Sequence, residues 1–205
     1  MPIKIIISSL SLIFAGIFFV INDAIINYLA PLDIKFYHFI FYGIPAYLSV
    51  PLYLMIIGKF KLKMTASNYS IPLLRGVLLA PMPFIVFLAL ANISLPEFTV
   101  INMSSPVFAG ILSLIFLKEK FNFYIIISLF SGLVGVLFVI QPGFETFNIY
   151  FLVTLSGAFL MTFSTIIVNK YDRITSSLGY FIYGGIFSHL LSVPLFLYDP
   201  LVINL

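Results

Sequence analysis

The 205-residue sequence contains no cysteine and no tryptophan, and only 8% of it is charged. Without cysteine there is no disulfide framework, no thiolate metal site and no cysteine nucleophile. The shortage of charge excludes more. Ten Lys+Arg and seven Asp+Glu cannot coat a soluble body of 23.1 kDa, and 62% of the residues are apolar, against about 45–50% in soluble domains. A soluble enzyme is therefore excluded. The formal net charge of +3 does not signal a nucleic-acid partner, because the bases sit in small clusters between apolar runs. There is no phosphate loop, no pair of catalytic carboxylates and no metal-ligand spacing of His, Asp and Glu. Neither ATP-driven transport, hydrolysis nor a metal or other cofactor finds support in the sequence.

What the sequence has in abundance is long apolar runs, with a mean hydropathy of +1.19. They fall at about 5–29, 36–57, 71–93, 97–117, 122–141, 148–169 and 178–198, each near the ~20 residues that cross a hydrocarbon core. The first run is too long for a signal-peptide core of roughly 7–15 residues. None shows the period-two alternation of a membrane β-barrel strand. The expected fold is an all-α integral membrane protein with about seven transmembrane helices. Bases set the orientation. With the N-terminus cytoplasmic, Lys4, Lys59, Lys61, Lys63, Arg75, Lys118, Lys120, Lys170 and Arg173 lie inside, and only Lys35 lies outside. The lipid bilayer of the cell (cytoplasmic or inner) membrane is the expected surrounding.

An internal repeat organises the chain. Leu48-Ser49-Val50-Pro51-Leu52-Tyr53-Leu54 in the second span matches Leu191-Ser192-Val193-Pro194-Leu195-Phe196-Leu197 in the seventh at six of seven positions, with an offset of 143 residues. Tyr37 and Tyr180 keep that offset. Five spans fill it, and an odd number of crossings turns the second copy upside down, the inverted-repeat plan of many secondary transporters. Residues 1–143 are then expected to form one five-helix repeat, and residues 144–205 the first two helices of a second, incomplete one.

Ordered motifs run through the first repeat. Asn22-Asp23-Ala24 lies in the first span. Arg75-Gly76 opens the third, Ala89-Leu90 comes near its end, and Leu95-Pro96-Glu97 leads to Ser105-Pro106-Val107-Phe108 in the fourth. Leu117-Lys118-Glu119-Lys120, Gly132-Leu133-Val134-Gly135-Val136 and Pro142-Gly143 follow. In order and spacing this series resembles the EamA-type permeases of the drug/metabolite transporter superfamily. The resemblance implies ten helices in two five-helix repeats, so helices eight to ten are expected to be missing here. His38 stands where many members carry Arg, and Asn27 where the Asn-Asp-Ala variant often continues to Lys.

Candidate functional residues follow from the cost of polarity in lipid. Asp23 is a carboxylate in the first span, which costs ~3 kcal/mol or more unless it is paired or wetted. Binding of substrate or proton and a structural hydrogen bond both remain open for it. Asn27, four residues on, shares its helix face, whereas adjacent Asn22 is expected not to. His189 in the seventh span is either a proton relay or a neutral hydrogen-bonded side chain. Asn102 and Ser105 lie on one face of the fourth span, although a serine can equally bond its own helix. Pro51, Pro106 and Pro194 each remove a backbone donor inside a span, and so mark either helix breaks lining a pathway or packed kinks. Ser128 with Gly132 and Ser131 with Gly135 give small-residue spacing for close helix contact.

The expected function is secondary-active transport of small organic metabolites, without enzymatic activity, by alternating access through a cavity between inverted repeats. The alternative is a noncatalytic membrane subunit or a transport-incompetent fragment, with a second copy or the missing C-terminal helices as partner. As a fragment, the chain is expected to leave Ser164, Thr165 and His189 facing lipid.

Overall fold

The computed structural model describes residues 3–32, 34–66, 68–118, 123–140, 148–171 and 174–201. Among these there is no strand, and ten α-helices follow one another: α1 (Ile3–Leu29), α2 (Phe36–Ile56), α3 (Phe60–Met64), α4 (Ser70–Leu79), α5 (Met82–Leu90), α6 (Leu95–Asn102), α7 (Ser105–Leu112), α8 (Phe123–Ile140), α9 (Ile149–Tyr171) and α10 (Ser177–Tyr198). Six segments are long and apolar enough to cross a membrane: Ile5–Leu32, Phe36–Ile56, Ser70–Leu90, Leu95–Leu117, Ile149–Tyr171 and Ser177–Tyr198. The span expected at 122–141 is α8, whose 18 residues at a rise of about 1.5 Å reach just short of a ~30 Å hydrocarbon core.

The outer surface is apolar, and the mostly apolar interior also holds a few small polar side chains. Phe18, Phe19, Ile56 and Phe138 face outward, whereas Thr154, Ser164 and Ser192 are at most 1% exposed. Lipid tails solvate the first group as well as a core would, and the interior admits small polar side chains among its apolar ones. These three hydroxyls bond their own helices: Thr154 donates to the carbonyl of Tyr150 at 3.0 Å, Ser164 to Met161 at 2.8 Å and Ser192 to His189 at 2.7 Å.

Two spans are interrupted. The third breaks around Ala80 and Pro81, with Pro83 in the first turn of α5. The fourth breaks at Met103 and Ser104, with Pro106 in the first turn of α7, where a missing N–H costs nothing. Pro51 and Pro194, by contrast, sit inside helices that run on uninterrupted. Each forfeits one hydrogen bond, and a long helix packed along its length absorbs that as a kink. Gly58 ends α2 at φ 66°, with the Lys59 and Gly58 amides bonding the Leu54 and Met55 carbonyls, a Schellman closure.

Helix α10 packs against α2 and α4, and α9 against α4, α5, α6 and α7. The first turn of α2 meets the last turn of α10: Tyr37 donates to Asp199 Oδ2 at 2.5 Å, and Phe41 stacks on Phe196 at 3.9 Å. Farther along, Tyr47 reaches Ile182. The two helices that carry the sequence repeat are therefore antiparallel neighbours. Gly76 lets α4 approach α10 closely, since a Cβ there would press on the Tyr183 carbonyl and lie 2.8 Å from the Phe187 ring. On α8, Gly132 and Gly135 face open space.

Candidate functional site

Four helices, α2, α4, α9 and α10, line an open cavity of about 430 Å³, with Tyr47, Arg75, Tyr180, Gly184 and His189 in its wall. A second cavity, of about 420 Å³, is lined by Asn22, Asp23, Phe87, Ser188 and His189. The two adjoin, with Leu79, Met161, Phe181, Gly184 and His189 in both walls. A polar line thus runs from Arg75 past His189 to Asp23 through an otherwise apolar interior.

His189 is the hinge of this arrangement. Its Nδ1 lies 2.7 Å from the Gly185 carbonyl, which assigns the proton to Nδ1 and leaves Nε2 as the acceptor nitrogen. The imidazole lies flat on the Tyr47 ring, and the Tyr47 hydroxyl donates to the Ile182 carbonyl. Gly185 makes room for this stack, since a Cβ there would come within 2.7 Å of the Tyr47 ring.

Arg75 sits inside α4, not at its edge. Its Nη1 donates to Ser164 Oγ at 3.2 Å and to Thr165 Oγ1 at 3.5 Å, and its guanidinium carbon lies 5.9 Å from the centre of the Tyr180 ring. Its Nε is buried without a partner among the described residues. Ser164, Thr165 and His189, expected to face lipid in a fragment, therefore all have polar partners within this chain. The approach of α9 to α4 buries Ser164, while His189 is half-buried and Thr165 stays exposed beside Arg75.

Asp23 and Asn27 part company. Asp23 receives a 3.4 Å hydrogen bond from Asn22, and both line the second cavity. Adjacent helix positions point about 100° apart, yet a broad cavity admits both, which corrects the expectation that Asn22 lies on a different face from the site. Asn27 instead donates to the carbonyls of Leu90 at 2.7 Å and Ile93 at 3.4 Å, closing the end of α5. Ser105 donates to the Asn102 carbonyl at 2.6 Å across the α6–α7 break, so its hydroxyl serves the backbone. Neither Asn102 nor Ser105 lines the two cavities. At the same break the Ser104 hydroxyl is buried without a partner.

Sequence reasoning passed over Arg75, Tyr47 and Tyr180. Arg75 carried a usable signal, a cation several residues inside an apolar run. The tyrosines carried none. Among the described residues no group of three His, Asp or Glu is placed to hold a metal ion.

The sequence model of the EamA-like transporter family matches residues 2–141, the stretch that holds Asp23, Tyr47 and Arg75. The chain belongs to the EamA-like transporter family. Curated relatives include Solute carrier family 35 member G1 of Homo sapiens, 36% identical over 72 residues, which is 35% of this chain and 20% of that protein. Its Mus musculus counterpart is 35% identical over 71 residues, 35% of this chain and 19% of that protein. The chain thus matches about a fifth of the length of these relatives. No solved structure matches it. This EamA-like chain is accordingly a multi-pass membrane protein of a transporter family, within the drug/metabolite transporter superfamily. The family match stops short of His189 and Tyr180, whose part in the site rests on geometry alone.

Proposed function

We propose that this chain forms the substrate pathway of a secondary permease for small organic metabolites, working by alternating access. Residues 1–143 make one five-helix repeat and 144–205 the beginning of an inverted second, in a cell membrane with the N-terminus cytoplasmic. One observation carries the reading: the Arg75–His189–Asp23 line lies in adjoining cavities beside α2 and α10, the antiparallel helices that share the repeated sequence. Inverted repeats place substrate sites where the two halves meet.

Helix α10 is also tied at both ends, to α2 at one and to α3 at the other. At one end Tyr37 and His38 Nε2 hold Asp199, the latter through its carbonyl at 2.6 Å. At the other, Ser176 Oγ donates to the Lys63 carbonyl at 2.9 Å and the Tyr183 hydroxyl to Met64 at 3.1 Å. Alternating exposure needs one set to part while the other holds, and bonds of this kind cost little to exchange with water.

The test is reconstitution into lipid vesicles and uptake of labelled amino acids, organic acids and amines, with and without a proton gradient. Saturable uptake that falls in His189→Leu at matched protein levels is the expected result. Well-folded protein that moves no solute under any gradient would refute the reading. It would favour instead a membrane subunit completed by another chain, for which the open Gly132–Gly135 face of α8 offers a contact.

A further inference from the structure

We infer that Arg75 is the docking point for the carboxylate of an organic anion with a small apolar body. The inference rests on the permease reading and takes its evidence from the contacts around Arg75.

Arg75 is the sixth residue of α4, within the segment Ser70–Leu90 that spans the membrane. A guanidinium there costs ~3 kcal/mol or more unless it is neutralised or wetted, and a carboxylate is the usual remedy. The carboxylates among the described residues are all engaged elsewhere. Asp23 takes the Asn22 amide, Glu97 accepts from the amide and hydroxyl of Ser94 at 2.8 and 2.7 Å, and Asp199 accepts from Tyr37. The groups that do touch Arg75 are Ser164, Thr165 and the Tyr180 ring. These hold the guanidinium plane in place without cancelling its charge.

The Arg75 side chain forms part of the cavity wall. Nε is buried without a partner, and Gly184 stands beside it: a Cβ there would lie 3.6 Å from Nε and 3.4 Å from the Leu79 side chain. Arginine presents its donors as a planar fork that matches two carboxylate oxygens, so an anchored guanidinium with a donor still unused is preorganised for that group. The remaining walls, Leu79, Met161 and Phe181, are apolar, and about 430 Å³ holds a body of modest size.

The experiment exploits the absence of cysteine. Ala46, exposed in the wall of the same cavity, is changed to cysteine in protein reconstituted in phosphatidylcholine vesicles. Labelling is timed with the anionic sulfonatoethyl and the cationic trimethylammonioethyl methanethiosulfonates. The anionic reagent is expected to react faster, and phenylbutyrate, but not its amide, to slow labelling about fivefold. Protection should vanish in Arg75→Gln and partly survive in Arg75→Lys. Equal protection by the amide, or no protection by either, overturns the inference, and both arms read in the Ala46→Cys protein even where Arg75→Gln fails to fold. Slowed labelling on adding phosphatidylglycerol, with no effect of phenylbutyrate, assigns the site to a lipid headgroup and likewise overturns it. Uptake is scored separately. Transport of amines without carboxylate protection would sink the anion site and keep the permease, whereas protection without uptake of any solute would do the reverse.

Discussion

The imidazole of His189 lies parallel to the phenol ring of Tyr47, with centroids 3.9 Å apart and planes 15° apart. The pair joins α10 to α2 at the point where the two cavities meet. Tyr47 adds a hydrogen bond to Ile182, one turn back along α10 from the imidazole's own acceptor region. Stacking and hydrogen bonding are separable here by mutation.

Tyr47→Phe should keep the stack and lose the hydrogen bond. Because the Ile182 carbonyl belongs to a helix, the expected loss is about 1 kcal/mol of stability, read as a modest fall in thermal midpoint in detergent. Transport should change little. His189→Leu, which removes the polar group shared by both cavities, should reduce transport far more than it reduces stability.

Gly76→Ala should separate α4 from α10. The new methyl meets the Tyr183 carbonyl and the Phe187 ring, neither of which can yield without moving a helix, and the expected destabilisation is about 1–3 kcal/mol. Gly132→Ala, on the open face of α8, is the control and should be neutral in dilute detergent. Equal midpoints for the two variants would contradict the close α4–α10 contact.

Asp23 and Asn27 should behave as a functional and a structural residue. Asn27→Ala is expected to cost about 1–2 kcal/mol by freeing the carbonyls that end α5, with KM unchanged in the protein that remains folded. Asp23→Asn should fold normally and lose transport, more than Glu97→Gln, whose carboxylate caps α6. Full transport by Asp23→Asn at matched membrane levels would assign Asp23 a structural role.

Orientation is open to the same cysteine-free background. Single cysteines placed at Lys61 and at Lys118 should be shielded from an impermeant reagent in intact cells, and one at Phe144 should be labelled. Labelling at Lys61 alone would reverse the assignment of sides.

Much of this was legible in the amino-acid sequence. Apolar runs of spanning length sufficed for an all-α membrane protein, because a bilayer leaves the backbone few other ways to satisfy its hydrogen bonds. Pro106 was readable as a break, since its neighbours Ser104 and Ser105 supply the turn. The break at Pro81 was equally visible in principle, as Pro81 and Pro83 stand two residues apart, yet hydropathy bridges it smoothly.

Sequence alone determined the environment, the apolar runs and the seven-residue likeness of the α2 and α10 segments, all consequences of composition and local order. Which polar groups meet was decided only by the tertiary structure. Asn27 and Asp23 share a helix face, yet α5 claims the first and a cavity the second. Arg75, Ser164 and His189 lie far apart in sequence and converge because α9 and α10 both pack on α4, with Gly76 permitting the approach of α10. The physical reason is that a polar side chain in a membrane takes whichever partner its neighbouring helix brings, and helix neighbours are set by packing between distant segments rather than by the residues adjacent to it in the chain.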